Sequence, residues 1–310
     1  MAPEGTTTRH GMLLFLILTW AISWPAIRIG VAHVPPIWFA CLRYAIATAC
    51  ILAVVAARGE LHLPSRQDWS LIVVSGTLQM AVYSALTALA LTELPAGRAS
   101  ILAFSTPIWV APLAAFWIGE RSSRATLLGV ASGVLGAITI AAPSLLAGAT
   151  AHASAYAMLV GAALAWAVTI VYVRAHRFAA STLTLAPWQM VLAAALLCVA
   201  AMWHEGALPP IDRAAALALA FVGPVATAFA YWAVVETGRH VPASTMAVAL
   251  LAAPGLGLVL SAATLGEAID GWLLAGAALI GAGVCLAVTG PAESSVPADP
   301  KEGGSIRSAR

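Results

Sequence analysis

Apolar residues run along this chain in stretches of about twenty. Short connectors such as "HVPP", "RGELHLPSRQD" and "HEGALPPID" separate them. A helix rises about 1.5 Å per residue, so some twenty apolar residues cross the hydrocarbon core of a bilayer. Ten stretches qualify: 11–31, 37–57, 69–91, 95–118, 124–143, 153–174, 182–202, 213–235, 241–265 and 270–290. A membrane β-barrel would instead show strands of about ten residues that alternate apolar and polar. The pattern predicts an all-α integral membrane protein with ten transmembrane helices. Residues 1–10 form a polar N-terminal tail without a small-residue cleavage site after the first apolar run. That run is therefore read as a retained helix. The tail 291–310, "PAESSVPADPKEGGSIRSAR", is rich in Pro, Ser and Gly and is expected to be disordered.

Composition sharpens the class. The chain is 61% hydrophobic and 9% charged, against about 25% charged in a soluble domain, too little to build a water-soluble surface. A net charge of +2 gives no reason to expect nucleic acid as a partner. The four cysteines all fall inside apolar runs, without metal-ligand spacing, and read as small buried hydrophobes. Lysine and arginine mark the cytoplasmic side of a membrane protein. With the N-terminus inside, eleven of them lie on the cytoplasmic side and three, Arg28, Arg98 and Arg213, lie outside; Arg43 falls within the second span. Both termini are expected in the cytoplasm of a bacterial inner-membrane protein.

The two halves repeat. At a shift of 146 residues Trp20 meets Trp166, Ser23 meets Thr169, Arg28 meets Arg174 and Arg43 meets Gln189. At a shift of 147, Pro95 meets Pro242, Pro107 meets Pro254, and the pair Gly119-Glu120 meets Gly266-Glu267. Gly129 then meets Gly276 and Gly136 meets Gly283. The predicted units are 11–143 and 153–290, each of five helices. Five is odd, so the second unit enters the membrane upside down. Inverted repeats are a recurrent architecture of alternating-access transporters, with the substrate near the midplane between them.

At this point the chain resembles a known family. The opening "TWAISWPAIRIG" and "CLRYAIA" in the second helix are two of the features. The others are "PAGRASILAFSTPIWVAPLAAFWIGE" leading into "GVASGVLGAITI", and the parallel "PASTMAVALLAAPGLGLVLSAATLGE". These are similar to the EamA-type branch of the drug/metabolite transporter superfamily, and most like its YddG-type aromatic amino-acid exporters. The resemblance implies a central cavity lined by helices 1, 3, 4, 6, 8 and 9, with helices 5 and 10 peripheral.

Several residues carry equipment that lipid does not require. On the first helix Trp20, Ser23, Trp24 and Ile27 share one face, and on the sixth Trp166, Thr169 and Val173 do. Aromatic rings with polar tips suit a cavity for flat or mixed-polarity solutes. An interfacial tryptophan belt is the other reading, and it suits Trp38 and Trp69, near helix ends, better than Trp20. The third helix carries Ser75, Gln79, Tyr83 and Thr87 at a spacing of four. Such a stripe must face water or protein, because unsatisfied polar groups in lipid are costly; interhelical hydrogen bonding would also satisfy it. Thr227 and Tyr231 answer on the eighth helix, and Ser100 and Phe104 precede Pro107 on the fourth.

A second set reads as structural or gating. Arg43, unrelieved, costs about 2.5–3.5 kcal/mol within a span, and is expected to be relieved by snorkelling and by a structural pairing. Glu120 and Glu267 end the fourth and ninth helices at opposite membrane faces and are expected to pair with loop arginines. Pro107 and Pro254 each remove a helical hydrogen bond and are candidate kinks. Gly129/Gly133 and Gly276/Gly281 read as close helix packing.

Enzyme chemistry finds no foothold. The seven histidines sit in loops or near helix ends, and zinc-protease, nucleophile-elbow and Walker A motifs are missing. The reading is a secondary transporter exporting aromatic or other neutral amino acids and similar metabolites. It operates as a facilitator, without catalytic residues, cofactor, metal or obligatory protein partner. Its partners are the solute and membrane lipid. Efflux of drug-like aromatic compounds, or a non-transporting scaffold or receptor, is the alternative.

Overall fold

Every element among the described residues of the computed structural model is helical; these residues are 4–120, 123–148, 150–238, 246 and 249–289. The helices follow the apolar runs. They are α1 (Glu4–His33), α2 (Pro36–Ala57), α3 (Trp69–Glu93), α4 (Ala96–Trp117) and α5 (Arg124–Leu146) in the first half. The second half holds α6 (Thr150–Ala175), α7 (Thr182–His204), α8 (Arg213–Thr237), α9 (Ala252–Leu265) and α10 (Gly271–Thr289). Nine of these are long and apolar enough to cross a membrane, and α9 is a shorter apolar helix of 14 residues. Most of the N-terminal part of the predicted 241–265 span, Pro242 included, and the 291–310 tail lie outside the described residues. α1 begins before its apolar run, which starts at Gly11, so part of the predicted polar tail is helical.

Local chemistry sets the boundaries. Ser123, Ser181 and Asp212 cap α5, α7 and α8, each accepting a backbone N–H three residues on. Gly119 and Gly266 follow α4 and α9 with φ of 70° and 68°. This left-handed turn ends a helix at little cost only for glycine. The Gly-Glu pair repeated at 147 residues is thus a helix stop followed by an acid.

Two helices per half depart from regular α geometry at equivalent positions. Ser75–Val82 in α3 and Val222–Phe229 in α8 are π-helical, 147 residues apart. Each starts next to a glycine pressed by a helix of the other half. A Cβ on Gly76 would lie 2.9 Å from the Gln189 carbonyl of α7, and one on Gly223 would lie 2.7 Å from the Ile46 side chain of α2. α4 is interrupted by a turn at Phe104 and Ser105, and α9 starts after a turn at Leu251, the equivalent of Phe104. Pro107 and Pro254 therefore sit in the first turn of new helical segments, where their missing N–H costs nothing. They begin helices rather than kink them.

The inversion is visible where α5 meets α10. A Cβ on Gly129 would lie 2.6 Å from the Gly283 carbonyl, and one on Gly136 would lie 2.7 Å from the Gly276 carbonyl. The earlier residue of one helix meets the later residue of the other, so equivalent helices run antiparallel. Gly133 shares this contact, since a Cβ on Gly283 would lie 2.8 Å from its backbone N, while its own open side faces Ile108 of α4; Gly281 meets nothing within 4 Å, so Gly276 and Gly283 are the contact pair on α10.

Candidate functional site

The ends of the helices are pinned across the two halves by carboxylates on backbone N–H groups, where the helix dipole favours negative charge. Glu205, after α7, accepts from Ile37 and Trp38 at the start of α2, both at 2.9 Å. Asp68, before α3, accepts from Ala179 at 2.8 Å and Ala180 at 3.2 Å ahead of α7. Glu267, after α9, accepts from Ala96 at 2.6 Å and Gly97 at 2.9 Å at the start of α4. Glu267 thus takes backbone amides where an arginine was expected; the nearby Arg98 pairs with Asp270 instead. Glu120 is exposed and lies 3.8 Å from Arg174.

Within this frame a cavity of about 150 Å³ opens between the halves. Of the residues singled out in the sequence on α1, α3, α4, α6 and α8, eleven line it: Trp20, Ser23, Trp24, Ile27, Gln79, Tyr83, Thr87, Phe104, Trp166, Thr227 and Tyr231. Its aromatic wall is continuous. Trp166 meets the edge of Tyr83 with centroids 4.9 Å apart and that of Trp20 at 6.5 Å. Phe104, at the break in α4, lies 6.1 Å from Trp20 and 6.3 Å from Trp24. Edge-to-face and tilted pairs of this kind hold the rings against one another.

Ser100 and Thr169 do not reach the cavity. Both are fully buried, and their hydroxyls donate backward, Ser100 to the Gly97 carbonyl at 2.8 Å and Thr169 to that of Ala165 at 3.2 Å. A helical Ser or Thr can satisfy itself in this way, so polarity alone does not aim it inward. Ser75 is also buried, donating to Gln79 at 3.0 Å and to Gln189 at 3.3 Å. Val173 is exposed on the outside of α6.

Arg43 faces the cavity as well as pairing. Its Nε donates to Thr227 Oγ1 at 2.7 Å, and its guanidinium lies 5.4 Å over the Tyr44 ring. Thr227 in turn donates to the Val222 carbonyl, five residues back at 2.8 Å, the same offset that the π turn itself uses. Gln189, the repeat equivalent of Arg43, accepts from Ser75 at the start of the other π segment, and from Tyr231 at 3.1 Å. The sequence reading missed Tyr44, Met80, Met190, Ala226 and Val234 in the lining. Hence α2 and α7 contribute to the wall, whereas the family resemblance placed only helices 1, 3, 4, 6, 8 and 9 there. α9 contributes nothing among the described lining residues. The reason lies in the two glycine contacts, which draw α2 and α7 against the π segments of α8 and α3. Only the proximity of Tyr44 to Arg43 in "CLRYAIA" signalled this.

Comparison with known proteins agrees with this architecture. The model of the EamA-like transporter family matches twice, over residues 9–142 and 153–289. The chain belongs to the EamA-like transporter family. A Salmonella typhimurium protein named probable amino-acid metabolite efflux pump is 27% identical over 90% of this chain and 94% of its own length. A probable terminal-alkyne amino-acid exporter of Streptantibioticus cattleyicolor is 30% identical over 88% of this chain and 91% of that one. A crystal structure 24% identical to the chain superposes with a TM-score of 0.60, covering 91% of this chain and 96% of that one, and shares the fold. The chain is thus a multi-pass membrane protein with a transporter fold.

Proposed function

We propose that this EamA-like chain exports amino acids, aromatic or other neutral ones, together with similar small metabolites. It does so across the bacterial inner membrane, with both termini in the cytoplasm. The observation that carries the reading is the aromatic-walled cavity between the two halves. Trp20, Trp24, Phe104, Tyr83 and Trp166 supply flat apolar surface, and Gln79, Thr227, Tyr231 and Arg43 supply polar contacts. Few polar groups on a largely apolar wall is the usual build of a small-molecule site. Inverted halves around such a site can rock to expose it to either face in turn. Two relatives are named probable amino-acid metabolite efflux pump and probable terminal-alkyne amino-acid exporter, which supports the substrate class. The positive-inside count of eleven against three supports the orientation.

Energy coupling follows from the lining. Proton-driven carriers place Asp, Glu or His deep in the membrane as a relay. The described lining residues include no such group. The protein is therefore a facilitator, and direction comes from the higher cytoplasmic concentration of solute. It is not an enzyme.

The test is flux of labelled phenylalanine, tryptophan and leucine in proteoliposomes, with and without an imposed pH gradient. Saturable counterflow that the pH gradient leaves unchanged is expected. Accumulation against the solute gradient, driven by protons, would overturn the facilitator reading. Flux no greater than in protein-free liposomes would leave the scaffold or receptor reading in place.

A further inference from the structure

Arg43 is the one charged side chain among the described residues that line the cavity. It has no carboxylate partner in the ion pairs of the described residues. Its orientation is nonetheless set. Thr227 uses its proton on the Val222 carbonyl at 2.8 Å, so its oxygen is left to accept from Arg43 Nε at 2.7 Å. One of the five guanidinium N–H donors is thereby spent, and the four on the terminal nitrogens remain. A cation in an apolar-walled cleft without a counter-charge raises the local concentration of anions. A planar guanidinium fixed at Nε matches a carboxylate with two parallel hydrogen bonds.

The ammonium group of an amino acid meets no counter-charge among the described lining residues, only ring faces and neutral acceptors. The described lining contains no acid. Its acceptors there are neutral: the Gln79 amide oxygen and the hydroxyls of Ser23, Thr87, Tyr44, Tyr83 and Tyr231. The positive charge of Arg43 also opposes a second cation in the same space.

Resting on the reading of this cavity as the solute site, we infer that it is a carboxylate site in which the amino group is dispensable. Arg43 holds the carboxylate, and the ring wall holds the apolar body. Monocarboxylates with an aromatic or branched apolar body and no amino group are therefore ligands alongside amino acids. Amines that lack the carboxylate are rejected. The same chemistry turns the site away from cationic drug-like molecules.

The experiment is competition against counterflow of labelled phenylalanine in proteoliposomes of the full chain. The competitors are 3-phenylpropionate, phenylalanine amide and phenethylamine. The propionate should compete within a few-fold of phenylalanine, and the amide and the amine at least about tenfold more weakly, the scale of a hydrogen-bonded charge. Arg43→Gln should collapse the acid-over-amine ratio towards one, and Arg43→Lys should keep its order. Phenethylamine competing as well as 3-phenylpropionate in the wild type, or a ratio unchanged in Arg43→Gln, would overturn the inference. Should Arg43→Gln fail to reconstitute, the wild-type series decides. Should phenylalanine show no flux, the proposed function fails by itself. Quenching of the cavity tryptophans by 3-phenylpropionate but not by phenethylamine then still decides whether Arg43 anchors a carboxylate.

Discussion

Trp20 and Trp166 meet edge to face, with ring centroids 6.5 Å apart and planes at 80°. They occupy equivalent positions on α1 and α6, so the symmetry of the two halves itself builds the middle of the aromatic wall. Edge-to-face pairs are worth about 0.5–1.5 kcal/mol beyond burial. Trp20→Ala and Trp166→Ala should each lower flux by roughly two- to tenfold, with expression and thermal unfolding little changed. The double variant should lose less than the sum of the two, because the residues share one contact. Additive losses would show that the rings act independently of each other.

Tyr83 lies one turn after Gln79 on α3, with its ring 4.9 Å from that of Trp166. We propose that it sorts solutes by shape. Tyr83→Ala should reorder the preference among phenylalanine, tryptophan and leucine, whereas Tyr83→Phe, which keeps the ring, should keep the order. Competition assays read this directly. An equal loss for all three solutes would indicate damaged packing instead.

Glu267 ties the end of α9 to the first turn of α4 through both carboxylate oxygens. Losing it leaves two N–H groups to find other partners. Glu267→Ala should cost about 1.5–3 kcal/mol, the scale for hydrogen bonds to charged groups. It should lower the unfolding temperature in detergent, and Glu267→Gln, with one acceptor left, should fall between. An unfolding temperature unchanged in Glu267→Ala would show that this clamp contributes nothing to stability.

Asp68, outside the spans, gives a pH prediction. Burial pushes its carboxyl upward. Hydrogen bonds from the Ser65 hydroxyl and from the N–H groups of Ala180, Ala179 and Ser65 outweigh this and hold it below the usual carboxylate range. A carboxyl lowered on folding stabilises fully above its unfolded value of about 3.9. That contribution is lost as pH falls through the lower folded value. The wild type should therefore be more stable than Asp68→Asn near pH 6, and the gap should close below about pH 4. Thermal unfolding across pH checks this, and a gap that widens in acid would reverse the sign.

The length and spacing of the apolar runs determined the ten helices and their class, because a bilayer demands about twenty apolar residues in register with its thickness. The recurrence of Trp, Arg/Gln, Pro and Gly-Glu at 146–147 residues determined the repeat, and an odd helix count made it inverted. Tertiary structure decided the rest. Whether a hydroxyl faces a cavity depends on what its own backbone offers, so Ser100 and Thr169 turned back to carbonyls while Ser23, which bonds the Trp20 carbonyl at 2.7 Å, still lines the wall. The π turns at Ser75 and Val222 arise where another helix presses on Gly76 and Gly223, in each case a contact between residues more than a hundred positions apart. Those same contacts bring Arg43 onto Thr227 and into the cavity wall. A single charge in an apolar run shows its cost in the sequence, but only the neighbours delivered by folding show what relieves that cost and what the charge remains free to bind.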